Sequence, residues 1–227
     1  MAISSGRAKT TTPSRSLSPD RAETQSEKAR IVLAGARAVF LANGFSAATT
    51  DMIQQAAGVS KSTVYSHYPN KEALFVSVVE AECALFQKTI CKHTFPGKGL
   101  PKILNAIAQA YLELLLSRDG LALYRAIVSE APRFPELGRR FYLAGPGAMN
   151  NVVAKALETA ESRGEVDLGG MGRDTAASLF VNMVRGEAQM QCLTHPDSPA
   201  SAAQRDRWAN DAVTAFLRAF QKSTATG

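Results

Sequence analysis

The 227-residue chain is poor in the residue types that would commit it to several large classes of protein: it has three cysteines, three histidines and one tryptophan. Cys83, Cys91 and Cys192 form no CxxC pair and no even framework. On a helix, Cys83 and Cys91 would lie about 12 Å apart at ~1.5 Å per residue, too far for a disulfide. Reduced, inert thiols are expected. No stretch approaches the ~18 consecutive apolar residues of a membrane span, and the opening MAISSGRAKTTTPSRSLSPD lacks the apolar core of a secretory signal. A soluble cytoplasmic protein with no membrane partner is therefore expected.

The signatures of common catalysts are also missing. Gly97-Lys98-Gly99 lacks the frame of a phosphate loop, and Gly170-x-Gly172 meets Thr175 where a dinucleotide motif wants its third glycine. Cys192-x-x-His195 has no further ligands to complete a metal site, and a helix end before Pro196 explains the pair. These absences predict no enzyme, no metal and no cofactor. Sustained period-two alternation is absent too, which argues against a sheet.

What is present is a 45% apolar chain with 26 Lys+Arg against 20 Asp+Glu, a formal charge of +6. Up to residue 75 there are 9 basic and 5 acidic residues, or +4, so the first third carries most of the excess. That distribution suggests a polyanion-facing end and a nearly neutral body. Residues 1–25, rich in Ser, Thr and Pro, read as a disordered basic tail. From Ser26 the chain reads as helix after helix. Val32, Leu33, Ala36, Val39 and Phe40 share one helical face, and Asn43-Gly44 supplies the stop.

Thr50 is read as the N-cap of a second helix with Asp51 at its positive end and Ile53, Ala56 and Ala57 facing inward. Gly58 breaks that helix, Ser60 caps a third over Lys61 to Tyr68, and Asn70 caps a long fourth that runs to about His93. Further helices are expected at roughly 101–117, 120–131, 135–163 with a kink at Gly145-Pro146, 172–193 and 203–221. The predicted fold class is all-α: a helix-turn-helix domain over 26–72, a helical body over 73–222 and a flexible end at 223–227.

Two short helices joined through a glycine match the helix-turn-helix plan, whose second helix enters the DNA major groove. Here that helix carries Lys61, Ser62, Tyr65, Ser66 and His67 around a single apolar anchor, Val64. So many polar groups on one short helix suit a groove lined with donors and acceptors better than a protein core. Lys61 and Ser62 are the candidates for base readout. Tyr68 is expected to pack inward. Between Thr49 and Glu72 the formal charges are Lys61 and Lys71 against Asp51 and Glu72, so the reading head is neutral and must select by hydrogen bonding.

The segment from Lys28 to Phe75 resembles the TetR-type transcriptional regulators. The resemblance rests on Phe40, Gly44-Phe45, Thr49-Thr50, Ile53, Ala57-Gly58-Val59-Ser60, Thr63-Val64-Tyr65, His67-Tyr68 and Lys71-Glu72-Leu74. It implies an operator in double-stranded DNA, contacted by Thr50, Ser60, Lys61, Ser62, Tyr65, Ser66 and His67, with Lys71 on a phosphate. It also implies a homodimer and a small-molecule effector, most simply as a repressor that an apolar or amphipathic ligand releases.

In the body, a cavity among the middle helices is expected to be lined by Phe86, Ile90, Tyr111, Leu115 and Tyr124. Ile127, Phe141, Met149, Phe180 and Met183 complete the expected lining. Stripes on the last two helices, with Leu179, Met183, Trp208, Ala212, Phe216 and Phe220, are the expected dimer interface, where the family places it. The run from Glu130 to Tyr142 resembles the AefR-like group of C-terminal domains, which suggests control of efflux or stress genes. A filled body with a ligand-independent reading head is the competing expectation, and a cavity would distinguish the two. Ser62→Ala is predicted to change sequence preference, checked by binding selection from a randomised operator pool.

Overall fold

The computed structural model describes residues 19–92 and 99–220, which form ten α-helices and no strand among the described residues. The first 18 residues, the Phe95-Pro96-Gly97-Lys98 break and the end from residue 221 lie outside them. Helix α1 spans Pro19–Ala47, so the disorder expected up to residue 25 does not hold from Pro19 onward. Proline fits the first position of a helix, where its missing N–H is no loss. Inside α1, Gly44 takes φ 72°, and the helix breaks there as the Asn43-Gly44 pair predicts.

Helix α2 (Thr50–Ala57) begins one residue differently from expectation. Thr49, extended at φ −116° and ψ 156°, is the cap: its hydroxyl accepts from the Met52 N–H at 3.2 Å. Thr50 already sits inside the helix and cannot play that part. Gly58, at φ 64°, closes α2 with its own N–H bonded back to the helix. Ser60 then caps α3 (Lys61–His67) by accepting from the Thr63 N–H at 3.2 Å, and Asn70 caps α4 (Lys71–Lys92) through the Ala73 N–H at 2.7 Å. Ala56, expected inside, is exposed; Ile53 and Val64 are the buried anchors of this pair.

The body consists of α5 (Leu100–Leu115), α6 (Arg118–Glu130), α7 (Pro135–Ala144), α8 (Pro146–Ser162), α9 (Arg173–Thr194) and α10 (Ala202–Phe220). Gly145-Pro146 separates α7 from α8 completely, because a proline in mid-helix loses a hydrogen bond and clashes with the preceding turn. Two cores result. One lies among α5, α8, α9 and α10. The other joins α1, α2, α3 and the first half of α4 to Ala126, Ile127 and Leu137 of α6 and α7.

Residue 72 is thus not a packing boundary: Leu74, Phe75, Val78 and Val79 belong to the same core as the first three helices. At its centre Phe40, Phe45, Phe75 and Phe134 form an aromatic cluster with ring centroids 4.9–6.1 Å apart. Such pairs add about 0.5–1.5 kcal/mol each beyond area burial, and through Phe134 the cluster ties head to body. No helix among the described residues is long and apolar enough to cross a membrane.

Gly35 sets how closely α1 and α2 approach. A Cβ built there would lie 2.7 Å from the Ala57 Cβ and 2.8 Å from its backbone nitrogen. Gly35→Ala is therefore predicted to destabilise the protein by about 1–3 kcal/mol, read as a lowered urea midpoint at an unchanged slope.

Candidate DNA interface and effector cavity

On the α3 face, Ser60, Lys61, Ser62, Tyr65 and Ser66 are exposed, while Val64 holds the helix down at 1% exposure. His67 and Thr50 are half-buried at its edges. The polar groups of this face hold one another. Ser60 Oγ lies 2.8 Å from both Ser62 Oγ and Thr63 Oγ1, Ser66 Oγ donates to the Thr63 carbonyl, and the Thr50 and Tyr65 hydroxyls are 3.3 Å apart. Thr50 and the recognition helix are thereby brought together.

Lys61 donates to Asp51 Oδ1 at 2.9 Å, and that hydrogen bond raises its pKa. The pair is solvent-exposed, so it is weak and DNA can displace it. Glu72 is held by Arg133 at 2.8 Å, so of the four charges that sum to zero between Thr49 and Glu72 only Lys61 and Asp51 pair with each other. Tyr68 packs against the head core as expected, with its hydroxyl 3.4 Å from the Ala29 carbonyl and its pKa raised by burial.

Lys71 has work that spacing alone does not reveal. Its ammonium donates to the carbonyls of Phe45 (3.1 Å) and Ala48 (3.0 Å) and stands 4.5 Å above the Phe45 ring. It satisfies carbonyls left open where α1 ends, and so ties α4 to the head.

The body contains a cavity of about 300 Å³, at the lower end of the size range of small-molecule sites. Of the expected lining, Phe86, Tyr111, Leu115, Tyr124 and Phe141 border it. The others do not. Ile90, Met149 and Phe180 are packed in the body core, Met183 lies against that core, and Ile127 belongs to the head-side core. Helical periodicity shows which face of a helix turns inward, but a cavity wall and a filled core look alike in it.

Sequence reasoning missed the polar lining: Arg37, Glu82, Asp119, Arg185 and Gln189. Arg37, from α1, donates to Glu82 of α4 at 2.6 and 2.9 Å and to Asp119 of α6 at 2.8 Å. The Glu82 hydrogen bond is the main reason the Arg37 pKa is pushed up. These partners lie 45 and 82 residues apart in the chain, and the only local signal was a charged residue on the otherwise apolar face of each helix.

The expected dimer set also divides. Ala212 and Phe216 are buried within the protomer's own core, at 6% and 0% exposure, Phe216 standing edge-on to Phe180 at 5.3 Å. They are core residues because α10 turns that face onto α5 and α9. Trp208, Phe220 and Met183 are half-buried against the same core, whereas Leu179 and Met190 of α9 are exposed. Met190 was not among the expected residues.

A helix-turn-helix head set on a helical, cavity-bearing body defines a DNA-binding transcriptional regulator. Residues 32–78 match the bacterial regulatory proteins of the tetR family, and residues 102–222 match the C-terminal domain of AefR-like transcriptional repressors. The chain belongs to the tetR family. It is 34% identical to the flavonoid-responsive regulator FrrA, over 88% of this chain and 100% of that one, with a TM-score of 0.68. A TetR-family regulator from Mesorhizobium loti is 26% identical over 87% of this chain and 98% of its own, with a TM-score of 0.72. The HTH-type transcriptional repressor AcnR of Corynebacterium efficiens is 29% identical over 78 residues, 34% of this chain and 39% of AcnR.

Lys71→Ala is predicted to lower stability by about 1–3 kcal/mol, since it leaves two carbonyls without a charged donor. Its ammonium retains a third N–H for a phosphate, so the slope of log K against log salt is expected to fall by about one unit as well. Urea unfolding reads the first effect and anisotropy titrations at several salt concentrations read the second.

Proposed function

We propose that the chain is an effector-responsive repressor that binds its operator as a homodimer and releases it when a small molecule enters the cavity. The observation that carries this reading is that Arg37, a side chain of the head's own first helix, forms part of the cavity wall. An occupant and the reading head thus share a residue. A cavity of about 300 Å³ favours this reading over a filled, ligand-independent body. The likeness to FrrA, whose name describes a flavonoid response, points to an aromatic effector, and Phe86, Tyr124 and Phe141 in the wall suit one. The AefR-like match directs the search for targets to efflux and stress genes.

For DNA, the reading keeps Ser60, Lys61, Ser62, Tyr65, Ser66 and His67 as the operator-facing set, with Thr50 and Lys71 at the phosphates. Lys61 and Ser62 stand where the helix enters the groove. For the dimer, exposed Leu179 and Met190 on α9, with Ala215 and Ala219 on α10, offer an apolar, small-residue face. Half-sites would then lie about one helical turn of DNA apart, roughly 34–36 Å. Acting on DNA, such a regulator would work in the cytoplasm.

The switch requires an effector that prefers one arrangement of α4 over another, because equal affinity shifts nothing. Helix α4 spans both roles: its first half packs in the head core, and Glu82, Cys83, Leu85 and Phe86 border the cavity. Genomic footprinting of the purified protein, followed by release assays with a flavonoid panel and with compounds handled by the neighbouring genes, tests the reading. Glu82→Gln breaks the α1–α4 ion pair without touching the recognition helix. It is predicted to weaken operator binding without effector by roughly 2- to 30-fold, from a coupling of about 0.5–2 kcal/mol. Anisotropy titration against the footprinted operator measures it, and an unchanged affinity would argue against this link.

A further inference from the structure

We propose that the cavity selects an organic anion: an aromatic or otherwise apolar molecule whose single carboxylate or phenolate meets Arg185 and whose oxygens accept from Tyr111 and Gln189. This rests on reading the cavity as the effector site, and it goes further by assigning the ligand's charge and the residues that recognise it.

Three observations converge at one end of the cavity. Tyr111 and Gln189 are 2% and 5% exposed, both border the cavity, and Tyr111 Oη and Gln189 Nε2 have no hydrogen-bond partner among the described residues. Buried polar groups are nearly always paired, so two orphans facing one space mark a place where something else supplies the partner. Both can act as donors, and the complement they ask for is an acceptor.

Arg185 borders the same cavity, and no carboxylate lies within 4 Å of it among the described residues. The contrast with Arg37 is informative. Arg37 is answered by two carboxylates, Glu82 and Asp119, so the head side of the cavity carries its own counter-charge, whereas Arg185 on the α9 side has none among the described residues. Arg185 and Gln189 are four residues apart on α9 and therefore lie on one face, with Tyr111 contributed by α5. Burial pushes the Tyr111 phenol up, and Arg185 opposes that shift by its charge and by donating toward the phenol oxygen, so that the phenol's own O–H is the donor left over.

The rest of the wall fits the rest of such a ligand. Phe86, Leu115, Tyr124 and Phe141 are apolar or aromatic, and the two carboxylates of the lining, Glu82 and Asp119, are already engaged by Arg37. A guanidinium with two further donors repels a cationic effector and leaves a hydrocarbon's end of the site unpaired. A carboxylate or phenolate satisfies all three groups, and a guanidinium binds a carboxylate through two parallel hydrogen bonds. Arg185, Tyr124, Phe141 and Pro146 also border an open apolar groove beside α6 and α7, so the cationic group can be reached from outside.

Isothermal titration of the full-length protein with biphenyl-4-carboxylate and its neutral methyl ester, at a pH near 7.5, tests the assignment. The carboxylate is expected to bind at least tenfold tighter, Arg185→Gln to bring it down to the ester's affinity, and Gln189→Leu to weaken it severalfold. Circular dichroism melting shows that each variant folds. Equal binding of the two probes, binding of neither, or a preference that survives Arg185→Gln would overturn the anion assignment. Leu115→Trp, which fills the cavity, separates this from the reading beneath it. If Leu115→Trp abolishes binding of two equally bound probes, only the charge assignment fails. Probe binding that is indifferent to Leu115→Trp lies elsewhere and removes the cavity as the effector site.

Discussion

The ion pair between Arg37 and Glu82 ties the first helix of the head to the cavity-bordering part of α4, and the proposed coupling of the two halves depends on it. The Arg37 side chain is 35% exposed, so water screens part of its charge, and the pair matters most to its more buried partner. The Glu82 side chain is 12% exposed, so it is committed. Asp119, at 53%, adds a weaker, more screened contact. The three residues come from α1, α4 and α6, and their meeting point is a cavity wall. Any molecule that enters and moves α4 must either carry Glu82 along with Arg37 or break the pair.

The apolar packing around that pair decides which motion is available. The aromatic cluster of Phe40, Phe45, Phe75 and Phe134 binds the start of α4 to the head and to the segment before α7. Lys71 adds a polar clamp in the same place, at the end of α1. The far half of α4 is held differently: Leu85 is 56% exposed, Phe86 borders the cavity and also packs against the body core, and Ile90 is buried in that core. A helix anchored in the head core at one end and in the body core at the other, with a cavity beside it, is suited to carry a displacement between them. The head, sharing the first of these ends, would follow.

Much of this was legible in the sequence, and the parts that were not have physical reasons. Gly44, Gly58, Pro69-Asn70 and Gly145-Pro146 announce helix ends because backbone geometry forces them, and the ends lie there. The recognition helix could be read from its polar crowding around Val64. The cap fell on Thr49 instead of Thr50 because two adjacent threonines have the same chemistry and only backbone angles separate them. Phe86, Tyr111, Leu115, Tyr124 and Phe141 border the cavity, whereas Ile90, Met149 and Phe180 have the same periodicity and fill the core. Ala212 and Phe216 show the same ambiguity between a protomer's core and its interface. The pairings of Arg37 and the orphaned groups of Tyr111 and Gln189 were invisible, since only the folded chain brings such distant residues to one wall.

The most direct test is a thermodynamic cycle on operator binding, measured with and without an effector that releases the wild type. The effector's effect on operator affinity is compared between wild type and the double variant Arg37→Met, Glu82→Met, which removes both charges together and leaves only the solvent-exposed Asp119 without its partner. If cavity and reading head are linked through this pair, the factor by which effector weakens operator binding should fall toward one. A factor equal to that of the wild type, with both proteins folded and binding effector, would contradict the linkage through Arg37.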